Sequence, residues 1–316
     1  MSKHLTILTP CYNELDNVEP LCTSILNVMN QFPEYTFNHL FIDNASTDGT
    51  QEKLRILAEK YSHVQVIFNA RNFGHIRSPF YGLLQARGDA VITMASDFQD
   101  PPELIADFIE KWKDSNKIVV GIKLKSKESI IFFTIRKLYY SLVNKLSETE
   151  LIKNFTGFGL YDREVINTLR QIDDSYPYFR GLIADLGYKT AKVEFEQPTR
   201  KRGLTKNNLY TLYDMAMLGI TNHSKIPLRL ATLLGFLVSI LSLMTGILYI
   251  IYKLMFFDRF EAGIAPLVVG LFFFGAVQLF FIGVIGEYIG SIHTQVLKRP
   301  LVIERERINI DSNILD

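Results

Sequence analysis

Two stretches of this chain, residues 230–252 and 262–286, contain no charged side chain. They run for 23 and 25 residues and are rich in Leu, Ile, Phe and Gly. A helix rises about 1.5 Å per residue, so each can cross the ~30 Å of hydrocarbon in a bilayer. A buried core helix meets the same criterion of length. Two such runs so close together favour a membrane hairpin. Basic residues give its direction. Arg200, Lys201, Arg202, Lys206, Lys225 and Arg229 precede the first run, and Lys298, Arg299, Arg305 and Arg307 follow the second. The connection carries only Lys253 and Arg259. This bias puts both termini in the cytoplasm and a short loop outside. The start, "MSKHLTIL", lacks signal-peptide architecture, so the first 225 residues are expected on the side of synthesis.

Upstream, apolar runs alternate with helical patterns. Strands are expected at 5–9, 39–43, 64–68, 90–94 and 118–122. Helices are expected from about 14 to 29, from 50 to about 61, at about 75–86 and at 102–112. Such alternation predicts a mainly parallel, Rossmann-like α/β sheet covered on both faces. Ligands of such sheets bind beyond the carboxyl ends of the strands. Asn13, Asp43, Asn44, Asn72 and Asp97 all fall there. Two further segments, 129–147 and 207–223, are amphipathic and aromatic. They read either as core helices or as helices lying at a membrane interface.

The chemistry concentrates in "TMASDFQDPPEL", residues 93–104. An apolar strand stops at one carboxylate, Asp97, with Asp100 three residues on. No Gly-rich phosphate loop of the Walker or dinucleotide type is present. A pyrophosphate could instead be held by a carboxylate and a divalent cation, Mg²⁺ or Mn²⁺, which stabilises the departing diphosphate. Asp97 is placed for that metal. Asp100 could assist at the metal, but reads better as a cap for the helix near Pro102, and Asp48 as a cap for the helix after "STDGT". A net charge of +1 gives no general attraction to nucleic acid. Cys11 and Cys22 have no metal-binding spacing and read as reduced thiols.

Taken as a set, "TPCYNE" (9–14), "IDNASTDGT" (42–50), "ARNFGH" (70–75), "ARGDAV" (86–91) and "SDFQDPPEL" (96–104) resemble glycosyltransferase family 2. "LYDR" (160–163), "YFRGLI" (178–183), "IPLRLAT" (226–232) and "GEYIG" (286–290) extend the resemblance to bacterial polyprenyl-phosphate glycosyltransferases, relatives of dolichyl-phosphate mannose synthase. The resemblance implies a GT-A fold, a nucleotide-sugar donor, a divalent metal and an inverting transfer to a lipid phosphate, typically undecaprenyl phosphate. It also implies a multi-pass protein of the inner membrane, membrane lipid as a partner, and a homo-oligomer, with relatives suggesting a tetramer. Carried over residue by residue, Pro10, Tyr12, Asn13 and Glu14 would sit in the nucleotide pocket with Asn72. Asp43 and Asn44 would lie beside the uracil or ribose. Asp97 would be the last carboxylate of the Asp-X-Asp metal motif, and Arg200, Arg202 and Lys206 would meet phosphates.

Three departures stand out. Ala95 replaces the first carboxylate of Asp-X-Asp, so the metal rests on Asp97. Asn44 replaces the second aspartate of a usual pair, though its side-chain carbonyl can still accept from uracil N3–H. Gly157 stands where many relatives carry an aspartate, a candidate base. A lipid phosphate, with its second pKa about 6, is mostly ionised at neutral pH and can attack without one. A transferase acting directly on a glycolipid or polysaccharide is one alternative. Processive enzymes of that kind carry Gln-X-X-Arg-Trp, and the only tryptophan, Trp112, is in the wrong context. A catalytically weak partner that presents lipid-linked sugar is another. The expected organisation is a GT-A domain at 1–198, a basic loop and interfacial helix at 199–226, a transmembrane hairpin at 227–297 and a cytoplasmic tail at 298–316.

Overall fold

The structure, a computed structural model, describes residues 2–124, 152–198, 217, 221, 224–256 and 264–310. Eight strands form one sheet in the order β7-β5-β6-β4-β1-β2-β3-β8. The centre is the expected α/β unit. β1 (His4–Cys11), β2 (Thr36–Asp43), β3 (Val64–Asn69) and β4 (Ala90–Thr93) run parallel, with β1 between β2 and β4. Each is followed by a helix: α1 (Leu15–Met29), α2 (Thr50–Lys60), α3 (Gly74–Gln85) and α4 (Leu104–Lys113). All four strands therefore end on one edge.

The strands are apolar on both faces because helices cover both. Leu5 and Ile7 pack with Leu21, Ile25, Ile105 and Phe108 of α1 and α4. Leu8 and Ile42 point the other way, onto Phe80 and Leu83 of α3. Burying each such side chain contributes ~1.5–3 kcal/mol.

The flank of the sheet departs from the mainly parallel expectation. β6 (Phe155–Asp162) inserts antiparallel between β4 and β5 (Ile118–Lys123), and β7 (Thr190–Phe195) pairs parallel with β5. A Cβ on Gly159 would collide with the Val119 carbonyl oxygen, so only glycine lets β6 approach β5 here. α5 (Arg163–Arg170) and α6 (Phe179–Asp185) follow β6.

The expected tail needs correction. Residues 304–308, read as part of a cytoplasmic tail, form β8 (Glu304–Ile308), antiparallel to β3 at the edge of the sheet. Arg55 and Glu306 pair bidentately at 2.5 and 2.6 Å, and Arg307 donates to Gln85 of α3 at 2.8 Å. These polar contacts, rather than an apolar pattern, seat the strand.

α7 (Ile226–Met255) and α8 (Ile264–Val296) carry the two uncharged runs. Both are long and apolar enough to cross a membrane, and none of their most apolar windows is buried within the chain. Leu233, Phe236, Leu271 and Phe272 are each more than 60% exposed. So much uncovered apolar surface is unfavourable in water and suits a lipid environment. The segments read as interfacial, 129–147 and 207–223, lie outside the described residues apart from Met217 and Thr221.

Candidate functional site

The loops after β1, β2, β3 and β4 meet beyond the strand ends and are tied to one another by side chains. Asn13 sits in the left-handed region, φ 57°, which turns the chain sharply after Tyr12. Its backbone N–H donates to Ser46 Oγ at 2.8 Å, and its side-chain carbonyl accepts from Thr47 N at 2.8 Å. Glu14 N donates to Thr50 Oγ1 at 2.9 Å. Asp48 accepts from Thr50 N at 3.0 Å and from Leu15 N at 3.3 Å. One carboxylate thus ties the first turns of α2 and α1 together, although the N-cap position of α2 is Gly49 and not Asp48.

Asp43 is fully buried at the end of β2. Its carboxylate accepts from Ser46 N at 3.0 Å and Gln51 Nε2 at 2.8 Å. Burial raises its pKa, and these hydrogen bonds oppose the rise. Gln51 in turn accepts from Arg305 of β8 at 2.5 Å. The C-terminal strand therefore reaches the strand-end loops through one glutamine.

Asn44 is 7% exposed, and its carboxamide fills all four of its hydrogen-bonding positions. Its oxygen accepts from Asn69 Nδ2 at 3.0 Å and Phe73 N at 2.9 Å. Its nitrogen donates to Asn72 Oδ1 at 2.9 Å and Gly74 O at 3.2 Å. The Phe73 N–H and the Gly74 carbonyl fix which end is oxygen. Asn72 itself is exposed, with its oxygen also accepting from Gly74 N at 2.8 Å. Asn69 is fully buried, and its side-chain oxygen has no hydrogen-bond partner.

Beyond β1 and β4 lies a cavity of about 270 Å³. Pro10, Ala95, Asp100, Gly157, Phe179 and Arg180 are on its wall. Asp100 is 6% exposed, and its carboxylate accepts from Ala95 N at 2.8 Å. Burial pushes its pKa up to about 7, with the nearby Asp97 adding to the rise. Asp97 is half-buried and accepts from Gln99 N at 3.2 Å. Gly157 has φ 106°, and its carbonyl accepts from Tyr161 Oη at 2.9 Å and from Thr93 Oγ1.

A family profile described as Glycosyl transferase family 2 matches residues 6–170. An uncharacterised glycosyltransferase of Synechocystis sp. is 33% identical over 304 residues, covering 96% of this chain and 95% of its own. The chain belongs to glycosyltransferase family 2. A second profile, the GtrB C-terminal hairpin, matches residues 226–292. A bactoprenol glucosyl transferase derived from a Shigella flexneri prophage is 32% identical over 300 residues, covering 95% of this chain and 96% of its own. Among solved structures, the M. tuberculosis glucosyl-3-phosphoglycerate synthase with phosphoglyceric acid aligns with a TM-score of 0.50 at 17% identity. That alignment covers 69% of this chain and 78% of the synthase, a likeness of fold alone.

Set against this glycosyltransferase's geometry, two sequence expectations change. Asn44 has no free carbonyl lone pair for uracil, because Asn69 and Phe73 occupy both. It braces the loops after β2 and β3 instead. Asp100 does not cap α4: its carboxylate folds back to the Ala95 amide, and no side chain caps α4. This bond within the loop after β4 takes the carboxylate that a cap would need, since leaving a buried carboxylate unpaired is costly. The structure brings Pro10 and Asp100 to one cavity, and Tyr12, Asn13, Glu14, Asp43 and Asn72 to the adjoining loops. Arg200, Arg202 and Lys206 lie outside the described residues. The sequence reading did not single out Gln51, Asn69 or Arg180 as site residues. Arg180 lies within the quoted "YFRGLI", but nothing in the spacing marks Gln51 or Asn69.

Among the described residues no three His, Cys, Asp or Glu side chains converge as a ligand cage. A single half-buried carboxylate such as Asp97 would suit only a hard cation that takes its other ligands from phosphate oxygens and water. Both cysteines are buried free thiols, and burial raises both pKa values, Cys22 to about 11. They are unsuited to metal or nucleophilic work.

Proposed function

We propose that the protein transfers a sugar from a nucleotide-sugar donor, uridine-linked, to a polyprenyl phosphate at the cytoplasmic face of the membrane, with inversion at the anomeric carbon. The observation that carries this reading is the joint match. Bactoprenol glucosyl transferases align over 95% of this chain and 96% of their own, so catalytic region and hairpin match together. The setting is the cell inner membrane and the use is cell-envelope glycan synthesis. The working division is a GT-A domain at 1–198 extended by β8, a basic segment at 199–226 and a hairpin at 227–297.

In this reading the nucleotide lies over the ends of β1, β2 and β3, against Pro10, Tyr12, Asn13, Glu14 and Asn72, with Asp43 behind them. Asp97 would hold Mg²⁺ or Mn²⁺, which supplies charge neutralisation to the departing diphosphate. The sugar enters the cavity beside Asp100. The Asp100 carboxyl group, whose pKa burial raises, can hydrogen-bond a sugar hydroxyl there. The lipid phosphate is already anionic, so Gly157 leaves no missing step. Arg200, Arg202 and Lys206 bring cations to the two phosphates as they approach. The test is label transfer from nucleotide sugar into an organic-extractable product that requires added polyprenyl phosphate. Label that stays in the aqueous phase under all donors refutes the reading.

A further inference from the structure

Segment 173–180 stands between two cavities. Pro177, Tyr178, Phe179 and Arg180 wall the cavity at the strand ends. Phe179 meets Tyr161 edge-on, with ring centroids 5.3 Å apart, and lies 3.8 Å from where a Cβ of Gly157 would be. One residue earlier, Tyr176 lines a different cavity of about 240 Å³ with Glu287, Ser291 and Thr294 of α8. The same short segment therefore faces the sugar site on one side and a membrane helix on the other.

Its fixing comes from α8. Gln295 Nε2 donates to Asp174 Oδ1 at 2.6 Å, and Gln295 Oε1 accepts from Ser175 N at 3.1 Å. Asp174 Oδ1 also accepts from Tyr176 N at 2.8 Å, which turns the chain toward Pro177. Ser175 is 5% exposed, so its N–H needs a protein partner, and Gln295 supplies it from 120 residues away in sequence. Lys298 pairs with Asp173 at 2.8 Å, but both side chains are more than 70% exposed and the pair contributes little.

We propose that Gln295 is a positioning residue for sugar transfer. It docks residues 174–175 onto the cytoplasmic end of α8 and so sets the wall Pro177–Arg180 of the sugar cavity. The inference rests on the reading of that cavity as the place where donor sugar meets lipid phosphate. An acceptor anchored in the bilayer arrives at a height fixed by the membrane. A sugar site registered to a membrane helix keeps the anomeric carbon at a matching height. A displacement of about 1 Å at reacting atoms can cost ~100-fold in rate. Simple attachment of one domain to another would act differently, since it would alter stability and every affinity together.

The test uses full-length protein in nanodiscs. Gln295→Leu keeps the size and removes both hydrogen bonds. Transfer to undecaprenyl phosphate should fall ten- to a hundredfold in kcat, while affinity for uridine diphosphate stays within about twofold. Backbone amides of 173–183 should exchange hydrogen faster, and those of 39–50 should not. Gln295→Glu sets a carboxylate against Asp174 and should also slow transfer. Adding Asp174→Asn removes that repulsion and should restore part of the loss. A kcat within twofold of wild type, or a fall in uridine diphosphate affinity in step with kcat, overturns the proposal. Wild-type protein that transfers to no lipid phosphate refutes the functional reading instead. Amide exchange then decides the docking role alone, and unchanged exchange at 173–183 overturns it.

Discussion

Asn44→Asp is a one-atom change at the most densely bonded side chain of the site. The carboxylate keeps both acceptor contacts, to Asn69 Nδ2 and Phe73 N, and strengthens them by its charge. Its second oxygen, however, replaces a donor 2.9 Å from Asn72 Oδ1 and 3.2 Å from Gly74 O. Both neighbours are acceptors, and the Gly74 carbonyl cannot rotate away. Each lost donation in a buried place costs ~1–3 kcal/mol, and the stronger contacts return ~1–2 kcal/mol in all. The two losses sum to ~2–6 kcal/mol, so the net loss centres on about 2.5 kcal/mol. A catalytic domain of this size loses ~2–4 °C per kcal/mol, so its melting transition should fall by about 5–10 °C. The loss should shrink at low pH. Burial and two facing acceptors raise the pKa of the new carboxyl group above its unfolded value. Such a group stabilises the fold below the unfolded pKa, and that stability is lost as pH rises through the folded pKa. Thermal melts in detergent at pH 5 and pH 8, followed by circular dichroism, measure both effects. A variant as stable as wild type at pH 8, with no dependence on pH, would refute the bracing role of Asn44.

Further outcomes follow from other residues. Asp97→Asn, or chelation of the wild type by EDTA, should lower turnover by roughly a hundredfold or more, since a neutral amide is a poor ligand for a hard cation. Metal-independent turnover would remove that role. Gly157→Asp should cost about 1–3 kcal/mol, because φ 106° strains any side chain, and should give no gain in rate. A hundredfold gain would reveal a missing base. His39 is fully buried, and burial holds its pKa at about 3. The unfolded imidazole titrates near 6.5, so stability present above pH 6.5 should drain as pH falls toward 3, by up to ~1.4 kcal/mol per unit. His39→Phe should flatten that slope in urea melts at pH 7 and pH 5, and an unchanged slope would exclude His39 as its source.

The parallel centre of the sheet was legible because its strands are continuous apolar runs ended by turn residues. Leu5 to Thr9 and Ala90 to Met94 need no partner to be recognised. β6 was not, because Gly157 and Gly159 dilute its pattern, and the need for glycine at 159 comes from Val119 on a neighbouring strand. β8 reads as "ERERI", a charged tail, until its Glu306 is seen to pair with Arg55 and its Arg307 to reach Gln85. The strand-end residues could be placed from sequence because the fold class itself specifies where strands end. Their wiring could not. That Asn44 is saturated depends on Asn69, Asn72 and Gly74 from a different loop. That Asp100 turns back to Ala95, rather than forward to α4, depends on how deeply the loop is buried.

The central claim is the nature of the acceptor. Purified full-length protein, a divalent cation, undecaprenyl phosphate and a panel of nucleotide sugars can be combined, and the lipid extract read by mass spectrometry. The expected product is undecaprenyl phosphate heavier by one sugar residue, retaining a single phosphate, formed with one or a few donors and absent when the lipid is omitted. Sugar found instead on a glycolipid or polysaccharide acceptor, with undecaprenyl phosphate unchanged under every donor, would contradict it.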